Sequence, residues 1–310
     1  MNPKQELGSS AAGHCTPQKD TGLRHGVIVG CGDVGRRIIS CLGDLPVTGL
    51  VRSEGSAREI TALGGTSQVA DLDSETTLPD LGLGGADVFY LAPPNPQGAR
   101  DLRMTHFLSA CDQARPRRIV YLSTSGVYGD CGGAWVDELR KPNPQTRRAQ
   151  RRWDAEQHVQ RWCNRNQVHH VILRVGGIYA RNRLPEARIR EGLTVICPAD
   201  APYSNRIHAL DLARLCVAAA RRGSNATVYN AADGHPTTMT DFFYRVADFL
   251  RLPRPQCVPL ADAEGRVSPA MLSYLRESRR LDITRMNRDL RITLRYPDLD
   301  AGLSADDDIR

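Results

Sequence analysis

Nowhere in the 310 residues does an uninterrupted apolar run approach the roughly 20 residues that cross a bilayer, and Leu215 to Ala220 is far too short, so no membrane-spanning helix is expected. The first 24 residues are rich in Gly, Ser, Gln, Lys and Thr and lack the apolar core of a signal peptide; they read as a flexible leader. No Lys-rich tract accompanies the net charge of +6, which comes from 41 basic against 35 acidic residues. The balance favours anionic ligands in general without marking a nucleic-acid binder. Nine cysteines include no C-x-x-C pair and no zinc-like spacing, which excludes a disulfide scaffold and a zinc module and reads as reduced thiols in a cytoplasmic protein. No internal repeat and no composition shift marks an independent second domain. The length accommodates one large α/β domain or a cofactor domain with a smaller appendage.

What is present is alternation. From Gly26 onward short apolar runs alternate with helical stretches, the pattern of parallel strands joined by crossover helices. Strands are expected at Val27 to Val29, Val47 to Val51, Ser67 to Ala70, Val88 to Leu91, Ile119 to Leu122, Val171 to Leu173 and Thr227 to Asn230, with helices starting near Asp33, Ser56, Arg100, Gln145 and Asp211. This predicts an α/β fold, a Rossmann-type doubly wound parallel sheet, with ligands at the carboxyl ends of the strands near the switch point. Residues 179–204 and the chain after Ala231, with helices near Thr240 to Leu250 and Ile283 to Leu290, break the alternation and are expected to form a small C-terminal substrate lobe. The cofactor domain would then comprise residues 25–178 and 205–231.

The strongest local signal is Gly30-Cys31-Gly32-Asp33-Val34-Gly35, which lies between the apolar run Val27-Ile28-Val29 and a helical pattern of Val34, Ile38, Ile39 and Leu42. In that context Gly30 makes the tight turn, Gly32 lets the backbone approach a pyrophosphate, and Gly35 lets the helix pack closely on the strand. The second strand ends Leu50-Val51-Arg52-Ser53 rather than in a carboxylate. A guanidinium there pairs with a ribose 2′-phosphate, so NADP is favoured over NAD, the competing reading being a solvated surface arginine. Asp71, at the end of the third strand, is a candidate for the adenine amino group or for a turn, and Ala92, directly after the fourth strand, completes the cofactor-binding set.

These residues resemble an atypical extended short-chain dehydrogenase/reductase of the NAD-dependent epimerase/dehydratase family, over about Gly26 to Gly302. The likeness rests on Tyr121-Leu122-Ser123-Thr124-Ser125-Gly126-Val127-Tyr128-Gly129, on Ile172 to Tyr179, on Asn205-Arg206-Ile207-His208 with Asp211-Leu212-Ala213, and on Tyr229 to Gly234, all in family order. The resemblance implies hydride transfer at a carbinol or carbonyl carbon, with a Ser/Thr that binds the reacting oxygen and a Tyr-x-x-x-Lys pair that exchanges the proton and holds the nicotinamide ribose. It also implies dimers through the helices near Arg100 to Ala114 and Gln145 to Arg165.

Aligned on Val127-Tyr128-Gly129, the Ser/Thr position is Thr124, but the Tyr and Lys positions hold Arg148 and Arg152. An arginine, with a pKa above about 12, cannot exchange a proton at neutral pH, so the usual dyad is absent. Arg152 can keep the lysine's contact to the ribose and Arg148 can clamp an anionic substrate group, or both belong to a solvated basic helix face. If the protein turns over, Tyr128 is the nearest replacement phenol, provided guanidinium groups lower its pKa; otherwise it lines the pocket wall. Asp137-Glu138 is a weak acid/base pair because adjacent loop residues point apart. His169-His170 reads as a strand edge rather than a metal site, and no metal is expected. His208 falls where the family supports its substrate pocket. Ser125-Gly126 after Thr124, in place of an acidic pair, argues against a dehydratase.

The sequence reading is therefore an NADP(H)-dependent oxidoreductase or epimerase-like enzyme for a small-molecule carbonyl or hydroxyl compound, with nucleotide-linked and anionic substrates included. The competing reading is a nicotinamide-dinucleotide sensor or scaffold without turnover. Nucleic-acid binding through the arginine helix is set aside, since no aromatic interleaving accompanies the charge.

Overall fold

The fold is taken from a computed structural model that describes residues 22–74, 78, 80–267, 272 and 274–304; most of the expected leader lies outside the described residues. Seven strands form the central sheet: β1 (Gly26–Val29), β2 (Val47–Val51), β3 (Thr66–Val69), β4 (Asp87–Tyr90), β5 (Arg118–Thr124), β6 (His169–Val175) and β7 (Thr227–Ala231). All neighbouring pairs are parallel, and the spatial order is 7-6-5-4-1-2-3. The order reverses between β1 and β4, where Gly26 to Val29 register with Asp87 to Tyr90, so a crevice opens beyond the ends of these two strands. A parallel sheet covered on both faces needs near-continuous apolar strands, and β1 and β4 are buried throughout.

The covering helices are α1 (Asp33–Leu42), α2 (Glu54–Ala62), α3 (Leu102–Gln113), α4 (Arg147–Asn166) and α5 (Ala209–Arg222). Four start on a side-chain cap: Ser53 accepts from Ser56 N, Asp101 from Met104 N, Thr146 from Ala149 N and His208 from Leu210 N, satisfying amides the helix cannot. α1 starts on Gly32 with no side-chain cap, which leaves its first amides open. One sheet face packs Ile28, Phe89, Val120 and Leu173 under α1 and α5; the other packs Val27, Val88, Tyr90 and Tyr121 under α3 and α4. β6 extends two residues beyond each end of the expected Val171 to Leu173. Its extra residues include His170 and Arg174, polar yet 1% and 3% exposed, which hydropathy alone reads as strand ends.

The second lobe has its own core, in which Tyr179, Ile189, Val195 and Ile196 pack against Phe242, Phe243 and Val246 of the helix Met239–Phe249. Short strands tie it together: Thr194–Ile196 with Gln256–Val258, Tyr203–Ser204 with Thr237–Thr238, and Arg206–His208 with Gly177–Tyr179. Cys197 and Cys257, just after or within the first of these pairs, are joined in a disulfide with Cα atoms 4.8 Å apart. The expectation that every cysteine is a reduced thiol is thus corrected. A separation of 60 residues carries no spacing signal, and only the strand pairing brings the two sulfurs together. Among the described residues no helix is long and apolar enough to cross a membrane.

Candidate functional site

Three clefts run end to end along the carboxyl edge of the sheet. The first, about 460 Å³, is lined by Gly30, Cys31, Gly32, Arg52, Ser53, Ser56 and Ala92. The second, about 280 Å³, shares Gly30 and Gly32 and adds Asp33, Val34, Gly35, Ser123, Arg152 and Arg183. The third, about 350 Å³, shares Val175, Ile178 and Arg183 with the second and adds Thr124, Gly126, Arg148, Asn205, Arg206 and Tyr274.

The glycines have separate physical reasons. Gly30 sits at φ +80°, and a Cβ there would stand 2.6 Å from Ala92 Cα, so only glycine makes this turn beside β4. Gly32 would meet nothing within 4 Å: the space above it is open to the cleft, the place a dinucleotide's phosphates need. Gly35 is held by contact with Ile28 and Cys31. The residues present therefore fit a dinucleotide, with open helix amides for its phosphates. Asp33 beside them is a carboxylate at a site for an anion, and it is occupied: Asn182 Nδ2 donates to it at 3.2 Å, Arg183 Nη1 approaches at 3.4 Å, and Arg37 Nε lies at 3.4 Å. Burial pushes its carboxyl up, but the Asn182 hydrogen bond and the two cations outweigh that and hold it below the usual carboxylate value.

At the far end of the first cleft Arg52 is exposed, and the carboxylate that interacts with it, Asp73, makes its ion pair with Arg103. Ser53, the cap of α2, lines the same wall. Asp71 does not line this cleft: its Oδ1 accepts from Asp73 N at 3.0 Å, the turn role. Arg103 does line it, a residue sequence reasoning missed; its Nε donates to Asp73 at 2.7 Å across 30 residues.

Near the ends of β4 and β5, Arg152 is locked in place by donating to Leu122 O at 3.0 Å and Ala92 O at 3.2 Å, and it lines the second cleft. Thr124 Oγ1 accepts from Gly126 N at 3.2 Å, which leaves its proton free to be donated into the third cleft. Arg148 faces that cleft too, with its guanidinium 3.9 Å from the centre of the Tyr274 ring and bonded to the Tyr274 hydroxyl. The arginines thus fall on different walls, Arg152 toward the glycine turn and Arg148 toward the second lobe.

Tyr128 does not join them. It is 1% exposed, lines none of the three clefts, and donates to Asn230 Oδ1 at 2.7 Å. Burial pushes its phenol up to about 12, and the cation facing it, at 4.8 Å from the ring, is Arg174 rather than Arg148 or Arg152. The expected role as a proton donor with a lowered pKa is corrected: a phenol made less acidic and turned into the core is a wall and anchor. Glu138 is likewise structural, accepting from Asn230 N at 2.8 Å, with Arg285 at 3.6 Å. His208 is buried between Tyr179 and Tyr296, and its Nδ1 accepts from Leu210 N as a helix cap. Among the described residues no cluster of three or more metal-ligating side chains exists.

Asp233, 5% exposed behind the third cleft, has its carboxyl pushed up to about 6 by burial. A raised carboxylate pKa means that the folded state gains protons more readily than the unfolded chain, so this contribution to stability is full below about pH 4 and is lost as pH rises through about 6. Asp233→Asn should therefore raise stability at pH 7 by roughly 1–3 kcal/mol and flatten the pH 4–6 limb of the stability curve, which urea melts at each pH would read.

The architecture and the glycine-lined crevice are those of a dinucleotide-binding Rossmann protein. Residues 30–222 match the family model described as NAD(P)H-binding, and the chain belongs to that family. It is 27% identical over 248 residues, 71% of each chain, to a 4-hydroxy-2-methyl-3-oxo-4-farnesyl-3,4-dihydroquinoline-1-oxide ketoreductase of Stigmatella aurantiaca. Among solved structures, a conserved protein of unknown function from Silicibacter pomeroyi superposes with a TM-score of 0.76 at 27% identity, covering 90% of this chain and 96% of its own. The UDP-glucose 4-epimerase of Thermotoga maritima gives 0.74 at 17% identity with the same coverage, a likeness of fold.

Proposed function

We propose that the protein is an NADP(H)-dependent oxidoreductase that reduces or oxidises a small-molecule carbonyl or hydroxyl compound in the third cleft. The observation that carries this reading is the continuity of the three clefts, which puts Thr124 next to the wall formed by Gly30, Gly32 and Arg152. The bound dinucleotide supplies or accepts the hydride. Arg52 and Ser53 would hold its ribose phosphate, the open amides of α1 its pyrophosphate, and Arg152 the nicotinamide ribose. Thr124 donates a hydrogen bond to the carbonyl oxygen while keeping its proton, and the negative charge that develops there is stabilised by that bond and by the nearby Arg148 guanidinium. The alkoxide then takes its proton from solvent or from Tyr274, a phenol that lines this cleft beside Arg148. The ketoreductase activity of the Stigmatella relative is of this class. A cytoplasmic setting fits the six free thiols among the described residues, four of them buried, while the Cys197–Cys257 disulfide stands against it.

The second reading, a dinucleotide sensor without turnover, is favoured by one specific observation: Tyr128, the nearest phenol in the family frame, is turned into the core. A screen of carbonyl compounds with NADPH separates the two. Turnover in the wild type that falls about 10²-fold in kcat in Thr124→Val, with dinucleotide affinity kept, supports the enzyme. Tight NADPH binding with no oxidation by any compound supports the sensor.

A further inference from the structure

One cation in the third cleft is unlike the others. Arg206 is 7% exposed, yet no carboxylate lies within ion-pair distance among the described residues. Its plane lies over Phe242, 3.7 Å from the ring centre, and Nη2 donates to Ser204 Oγ at 3.2 Å and contacts Met239 Sδ at 3.3 Å. Among the described residues Nε is buried with no partner and Nη1 makes no hydrogen bond. Nη1 lies against the wall residue Gly177, where a Cβ would stand 2.8 Å from it; the absence of a side chain at Gly177 makes room for the guanidinium.

A desolvated guanidinium with unsatisfied donors is costly to fold around. Burial pulls Arg206 down to about 10 against the opposing pull of Asp233, Tyr179 and Asp241. The acids that face it do not discharge that cost by contact: Asp233 turns its Oδ1 to His235 N, Asp241 is engaged by Arg245 at 3.0 Å, and Tyr179 donates to Asp298 O. Glu277, the acidic residue lining this cleft, is taken by Arg279 at 3.0 Å. With Arg148 and Arg183 on its other walls, the cleft presents positive charge that its own carboxylates do not cancel.

We infer that Arg206 is the anchor for an anionic group, a carboxylate or a phosphate, of the substrate that occupies the third cleft. The inference rests on reading this cleft as the substrate site beside the dinucleotide. The anion supplies the missing acceptors for Nη1, and the fixed, stacked guanidinium makes charge a condition of tight binding.

Two matched pairs of carbonyl compounds test it: pyruvate against methyl pyruvate for a carboxylate, and dihydroxyacetone phosphate against dihydroxyacetone for a phosphate. Each is titrated calorimetrically into the full chain with and without NADPH. The wild type should bind the charged member of at least one pair about tenfold or more tightly than the neutral one, and Arg206→Met should abolish that preference. Arg206→Lys keeps the cation without the fork; it should lose part of the preference, and it carries the test if Arg206→Met does not fold. A wild type that binds both members of both pairs alike, or a preference unchanged in the variants, would overturn the inference. A preference that depends on Arg206 but appears in a protein unable to bind NADPH would uphold the anchor while contradicting the proposed function.

Discussion

Gly32→Val should leave a folded protein that no longer responds to dinucleotide. The glycine stands at the start of α1 with nothing within 4 Å of its missing side chain, so a valine there meets open space in the apo fold and the pyrophosphate in the complex. In the wild type, NADPH at 100 times its dissociation constant adds about 2.7 kcal/mol to the folded state, read as a rise in melting temperature. The variant should melt near the wild-type temperature without ligand and show no rise with it. Gly30→Ala gives the contrasting result, a destabilised fold, because its Cβ would stand 2.6 Å from Ala92 Cα at a φ of +80°. A full ligand shift surviving in Gly32→Val would move the phosphate site elsewhere.

The second large effect is on stability. Glu156, fully buried on α4, accepts from Arg174 Nη2 at 2.8 Å and from Nε, and also from the Ser123 hydroxyl at the end of β5. This pair joins helix and sheet directly beneath Tyr128 and the Thr124 turn. Removing one partner of a buried ion pair strands the other, so Glu156→Ala should cost about 3–5 kcal/mol in a chemical melt, a large share of a typical domain's stability. The double replacement Glu156→Leu with Arg174→Met should recover much of that, because neither charge is then left alone. A loss under about 1 kcal/mol for the single variant would mean that water reaches the pair.

Whatever depends on neighbours in sequence was legible there. The run from Val27 to Gly35 carries strand, turn and helix in a few residues, and the structure has them in that order. Thr124 was legible only through the resemblance, and its cap to Gly126 N is a finding of the structure. What depends on distant partners was not. Tyr128 sits in a family-like string, but its fate is decided by Asn230, 102 positions later. Asp33 acquires Arg183 across 150 positions, Arg103 finds Asp73 across 30, and Cys197 meets Cys257 through strand pairing. Arg206 was quoted only as part of a motif, because the isolation of a buried cation is a property of what surrounds it in space. The missing Tyr-x-x-x-Lys pair, by contrast, was plain from residue identity alone. The structure adds that Arg148 and Arg152 serve different walls of the cleft.

The central claim is that the glycine-lined crevice holds a nicotinamide dinucleotide, with Arg52 selecting the phosphorylated form. Titrating NADPH and NADH into the wild-type chain and into Arg52→Asp, followed by nicotinamide fluorescence, tests it most directly. The account predicts tighter NADPH than NADH binding in the wild type, and a loss of NADPH affinity of at least about 1.5–3 kcal/mol in the variant, the worth of a charged hydrogen bond. Equal affinity, or tighter NADH binding, would contradict the role of Arg52, and no binding of either would contradict the account itself.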